Sequence, residues 1–191
     1  MKKIITLAIV GALSLAGCKS TAEALSIGEA GDRNSGPCPR AFALYDAARI
    51  VEFRNENQRY EDVGFTGQIT KVRSLCRYVG DNPITGSVDI TFELGRGPAA
   101  SQSEAVYQYW VAITRKNIAV IDKQTFPLRV TFPAGVDRLT ITESIDDYSI
   151  ARVNDTTSGE NFEIIVGFEV TTEQRTFNAE GRRFRVGAGQ E

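Results

Sequence analysis

The sequence predicts an all-β domain, and three observations carry that expectation. After Cys38 apolar residues recur at every second position, turn-forming residues punctuate those runs, and no long segment repeats apolar residues at helical spacing. A period of two sets one face of each strand against a core and leaves the other in water, as antiparallel sheets require.

Taken in order, Arg40 to Phe53 is ambiguous, since Ala41 to Ala48 suits a helical turn whereas Ile50-Val51-Glu52-Phe53 favours a strand. Between Val63 and Tyr78 the apolar parity slips: Val63, Phe65 and Ile69 share one phase, Val72, Cys76 and Tyr78 the other. A β-bulge near Thr70-Lys71, or a strand crossing between sheets, accounts for the slip. Ser87 to Leu94 is the cleanest strand, with Val88, Ile90, Phe92 and Leu94 alternating with polar residues. Tyr107, Tyr109, Val111 and Ile113 repeat the pattern, as do Phe126, Leu128, Val130 and Phe132, and Phe162 through Val170. Leu139, Ile141 and Ile145 mark a further strand, interrupted by Glu143. Gly80-Asp81-Asn82-Pro83, Gly95-Arg96-Gly97-Pro98, Pro133-Ala134-Gly135 and Thr156-Thr157-Ser158-Gly159 read as turns. Lys116-Asn117 suggests a hairpin, because Asn tolerates positive φ. Thr171 and Gln174, three apart, form a capping-box spacing for one short C-terminal helix ending near Gly181. The expected architecture is an immunoglobulin-like or fibronectin-like β-sandwich of about seven strands, with a closed barrel as the alternative while strand order is open.

The N-terminus reads as a targeting segment. Lys2 and Lys3 precede an apolar run, Ile4 to Ala16, too short for a bilayer span of roughly 20 residues. The run closes with Leu15-Ala16-Gly17-Cys18, which resembles the lipobox of bacterial lipoproteins. The resemblance implies a signal peptide over residues 1–17, a diacylglyceryl thioether on Cys18 and a further acyl chain on its amine. Two acyl chains give stable anchoring, at about 0.8 kcal/mol per buried methylene. Lys19 stands where Asp retains lipoproteins in the inner membrane, so the same resemblance implies the outer membrane, on its periplasmic face. Residues 18–37 read as the acylated Cys and a flexible tether with an r.m.s. reach of roughly 24 Å. Residues 38–180 form the expected β-domain, and 181–191 a frayed tail.

With Cys18 lipidated, Cys38 and Cys76 remain in an oxidising compartment, where a pair is most simply a disulfide. Two free buried thiols are the alternative. Losing Lys2 and Lys3 with the leader leaves 20 Lys and Arg against 24 Asp and Glu, a net charge of −4. That balance carries no nucleic-acid footprint.

The chain has no histidine. Ser-His-Asp and Cys-His catalysis, His-ligated metal sites and imidazole acid–base chemistry are therefore excluded, and two cysteines cannot make a four-thiolate zinc site. Neither Ser-x-x-Lys nor Gly-x-Ser-x-Gly occurs. Gly95-Arg96-Gly97-Pro98-Ala99-Ala100 matches a dinucleotide fingerprint, but a strand follows where the pyrophosphate needs a helix N-terminus, so it reads as a surface loop in which Arg96 could meet an anion. Glu143, Asp146, Asp147, Asp155 and Glu160 supply oxygen ligands of the kind calcium uses, without its regular spacing; a solvated acidic loop is the plainer reading. A glycosidase needs only two carboxylates, and nothing selects such a pair here. No cofactor and no metal is expected.

Two features suggest binding. Tyr107 and Tyr109 share the face expected to fill a core, whereas Trp110, in phase with Gln108, Ala112 and Thr114, is the surface candidate. Arg175, Arg182, Arg183 and Arg185, with Phe177 and Phe184 among them, form either a solvated tail or an anion-docking segment for lipid headgroups, lipopolysaccharide phosphates or an acidic partner.

Cys38-Pro39-Arg40, Cys76-Arg77-Tyr78, Arg96-Gly97-Pro98-Ala99-Ala100, and Val166-Gly167-Phe168 followed by Thr172-Glu173-Gln174, with Lys123 to Phe126 and Asn178, resemble a family of small, uncharacterised lipoproteins common in alphaproteobacteria. The likeness covers about residues 38–178. It implies the β-architecture and the envelope address, and no activity, cofactor or catalytic residue. The leading expectation is a non-enzymatic cell-envelope lipoprotein, membrane-held and docking on an envelope protein. The alternative is a periplasmic carrier holding a lipid or other apolar ligand between its sheets, and a third is a glycan-processing enzyme.

Overall fold

Residues 36–56 and 58–184 are described by a computed structural model; Cys18, the leader, most of the expected tether and Arg185 lie outside the described residues. Their alternating sequences fold as two facing four-stranded sheets. The first sheet orders β1 (Arg40–Ala43), β8 (Phe162–Phe168), β5 (Glu104–Arg115) and β6 (Ala119–Thr131). The second orders β2 (Arg49–Phe53), β3 (Val63–Arg77), β4 (Ile84–Arg96) and β7 (Arg138–Ile150). All neighbours are antiparallel except β1, which runs parallel to β8. The chain is thus an all-β sandwich with one helix among the described residues, α1 (Thr172–Ala179). The likeness to immunoglobulin domains lies in the two layers. Here three consecutive strands, β2, β3 and β4, lie side by side, an order the constant-type immunoglobulin fold does not use.

The expected alternation is the burial pattern. Val88, Ile90, Phe92 and Leu94 of β4 are at most 1 % exposed, and Ile164, Val166 and Phe168 of β8 are fully buried. Phe92 bridges the sheets, its ring 5.0 Å from Tyr109 and 5.7 Å from Phe168. Tyr107 completes the layer by donating its hydroxyl to the Thr66 carbonyl at 3.0 Å, so a buried O–H is satisfied. Rings and branched side chains therefore fill the space between the sheets.

The phase slip in β3 is a bulge: register shifts between Ile69 and Lys71 against β4. A second irregularity, between Gly86 and Val88, meets Asp147 at φ 61° on β7. Glu143, Asp146 and Asp147 consequently sit within β7, and only Asp155 and Glu160 lie on the connection that follows. The ambiguous segment resolves into both readings, since β1 and β2 flank a short 3-10 turn over Tyr45–Ala47. Asn117 takes φ 58° at the tip of the β5–β6 hairpin, as its residue type suggested.

Cys38 and Cys76 are disulfide-bonded with their Cα atoms 5.6 Å apart. The bridge joins the segment before β1 to the end of β3, and so links the two sheets. Tyr78 seals the same end: its hydroxyl donates to the Pro37 carbonyl at 2.9 Å and accepts from the Gly159 amide at 3.1 Å. Arg152 stacks over the Tyr78 ring and donates to the carbonyls of Asn82, Gly80, Asp155 and Thr157, tying the two neighbouring connections. No helix among the described residues is long and apolar enough to cross a membrane.

Two hollows flanking a pinned helix, a candidate functional site

The candidate residues are positioned by α1. Its N-terminus is the expected capping box: the Thr171 hydroxyl accepts from the Gln174 amide at 3.2 Å, and the Gln174 side chain accepts from the Thr171 amide at 2.9 Å. Gln174 also donates to the Val51 carbonyl, and buried Asn178 donates to the carbonyls of Asp46 and Arg49 at 2.9 and 2.8 Å. Two side-chain amides thereby fasten the helix to β2 and to the turn before it. Phe177 packs beside Val51 and Val63 in a second small core, joined by Phe53 and Phe184.

Gly181 at φ 73° ends the helix, with its amide bonded to the Asn178 carbonyl and that of Arg182 to the Phe177 carbonyl. This is the paired bonding of a Schellman turn. It folds the chain back over the second sheet, so Phe184 stacks on Phe177 at 6.0 Å and meets Phe53 edge-on at 5.8 Å. The expected frayed tail is therefore packed through Phe184. The physical reason is the apolar ledge formed by Phe53 and Phe177.

The turn creates the first hollow, a cavity of about 190 Å³ between that segment and the outer face of the second sheet. Arg182 and Arg183 line it, together with Arg49, Arg138, Glu93 and Gln68. Arg49 and Arg138 were not singled out from the sequence. They meet here because cross-strand register sets Arg49 opposite Gln68, Gln68 opposite Glu93, and Arg138 opposite Gly95. The Arg49 guanidinium lies 5.0 Å from the centre of the Tyr45 ring, and its Nε and Nη2 are buried with no hydrogen-bond partner among the described residues.

The second hollow, of about 260 Å³, lies on the other side of the helix against the first sheet. It brings Trp110 and Arg175 together with Lys123, Glu169 and Asp46. Trp110 is half-buried on the outer face of β5, opposite Gly167. A Cβ at Gly167 would stand 2.6 Å from the indole, so only glycine leaves the ring room to lie flat. The indole Nε1 donates to the Phe168 carbonyl at 3.1 Å, and Lys123 sits 4.8 Å above the ring while pairing with Glu169 at 3.0 Å. Arg175 is exposed on the helix.

Arg96 lines neither hollow; it ends β4 in phase with buried Phe92 and Leu94, half-buried, its amide bonded to the Asp137 carbonyl at 2.9 Å. Gly97 beside it is buried against the Val63 backbone, so Gly95 and Arg96 end the strand, residues 97–100 turn away from it with Pro98 exposed, and β5 follows with no helix between. Among the described residues no three acidic or cysteine side chains gather as a metal cluster.

One surface had no warning in the sequence reading. The β5–β6 hairpin leaves Ile118, Val120 and Ile121 exposed by 71, 63 and 53 %, and β6 is exposed over residues 119–125. β6 is also an edge of its sheet, so one row of its backbone groups has no neighbouring strand. The signal available was the apolar cluster itself, which alternation alone assigns to a core.

No protein-family model matches the chain, and no curated protein matches it either.

Proposed function

We propose that the chain is a cell-envelope lipoprotein, anchored through Cys18, whose sandwich is a non-enzymatic docking module for an envelope protein. The observation that carries the docking reading is the open β6 edge with its exposed Ile118, Val120 and Ile121. An uncovered edge strand is a template for another chain's strand, and here the hairpin end of the edge is apolar, while Asp122, Lys123 and Pro127 farther along confine pairing to that end. Lys123, Trp110 and Arg175 continue the same side of the molecule toward α1. The filled interior favours docking over a carrier that would hold a ligand between the sheets. The signal-peptide pattern and the likeness to small alphaproteobacterial lipoproteins support the envelope address, on the periplasmic face of the outer membrane.

Both halves of the proposal are testable. The mature N-terminal peptide is expected to begin at Cys18 and to carry the mass of a diacylglyceryl group; an unmodified Cys18 peptide defeats the anchor. Val120→Asp is expected to abolish recovery of the partner from native membranes while leaving the melting temperature unchanged, since the side chain has little packing to lose. Undiminished recovery from that variant defeats docking at β6.

A further inference from the structure

We propose that the hollow beneath the C-terminal segment binds a phosphate group, with the Arg49 guanidinium as its principal contact. The first ground is the state of that guanidinium. Nε and Nη2 are buried and have no partner among the described residues, although a buried charged donor left unpaired carries a larger penalty than any other common polar group. These two donors form one side edge of the guanidinium plane, where two parallel N–H bonds match an oxyanion's spacing. Tyr45 supports the plane from one side and fixes its direction.

The second ground is charge. Arg138, Arg182 and Arg183 line the same hollow, and Glu93 is the one carboxylate among its lining residues. Four arginines against Glu93, with Glu180 pairing Arg182 at 3.6 Å, leave two positive charges, which suits a phosphate dianion better than a single carboxylate. Gln68 adds a neutral donor to the wall. The third ground is construction: Asn178 fixes the helix to the Arg49 carbonyl, and the Gly181 turn delivers Arg182 and Arg183 over the cavity. Arg182 is held in place by stacking on Phe177 at 4.5 Å. The hollow lies on the second sheet and the β6 edge on the first, so this inference does not rest on the docking reading.

The test uses the full chain purified in a nonionic detergent, melted in inorganic phosphate and in chloride of equal ionic strength. Saturating phosphate is expected to raise the melting temperature by about 3–5 °C over chloride, as a ligand bound only to the folded state does. Arg49→Gln is expected to remove the shift. Arg183→Gln, at an exposed position, is expected to weaken phosphate binding at least severalfold without changing the melting temperature in chloride, which separates binding from folding. Arg96→Gln, outside the hollow, is expected to keep the full shift. Equal melting in phosphate and chloride overturns the proposal, as does a shift that survives Arg49→Gln or is matched by acetate. Competition from micelles doped with phosphatidylglycerol identifies a lipid headgroup as the source of the phosphate. Phosphate binding undiminished by such micelles identifies a soluble one.

Discussion

Phe92, Tyr107 and Tyr109 show how single side chains hold the two layers together. Phe92 is fully buried and touches rings of the opposite sheet, so truncation leaves a cavity that neither rigid sheet closes. Phe92→Ala is expected to cost about 3–5 kcal/mol in a denaturant melt. Burial pushes the Tyr109 phenol up to about 12, with nearby Glu143 adding to the effect, and burial also raises Tyr107. A phenol whose folded pKa lies above its unfolded value of about 10 contributes stability that is whole below pH 10 and is lost as pH rises toward the folded pKa. Stability should therefore fall steeply between about pH 10 and 12, and tyrosinate absorbance should show part of the tyrosines ionising only as the fold opens. Asn178 acts at the same scale: it is 1 % exposed and serves two carbonyls, so Asn178→Ala should cost about 2 kcal/mol and loosen α1 from β2.

The elements divide by how local their causes are. The capping box of α1, the positive φ of Asn117 and the bulge at Thr70 each depend on residues a few positions apart, and each was legible from residue type or parity. The core face of β4, β5, β8 and the second half of β6 was legible for the same reason, whereas in β7 the phase change at Asp147 hid buried Tyr148 and Ile150. The basic hollow was legible only in part: Arg182 and Arg183 stood out as a cluster in the sequence, whereas Arg49 and Arg138 are brought to them by strand register and a returning chain rather than by spacing. Trp110 was correctly placed on the outer face, but its ring lies flat between Gly167 and Lys123, a fit that needs both neighbouring strands to be known. The Cys38–Cys76 bridge belongs to this scale too, since it closes a separation of 38 residues between the sheets. Chain entropy puts its contribution at about 4 kcal/mol, so Cys76→Ser should lower the denaturation midpoint accordingly, and a reducing agent should do the same to the unaltered chain.

At the scale of the molecule, a disulfide-closed sandwich presents its two outer faces to different uses. The second sheet carries a basic hollow beside a pinned helix, and the first ends in an open edge whose hairpin end is apolar. The chain contains no histidine, so neither surface can use imidazole as a base. On the proposed reading, the sandwich holds its docking surfaces rigidly at the membrane. The most direct test is affinity capture of the tagged chain from native membranes, run in parallel with Val120→Asp. The account predicts one envelope protein recovered in stoichiometric amount with the unaltered chain and lost with the variant. Recovery of the same protein from both, or of no stoichiometric protein from the unaltered chain, would contradict it.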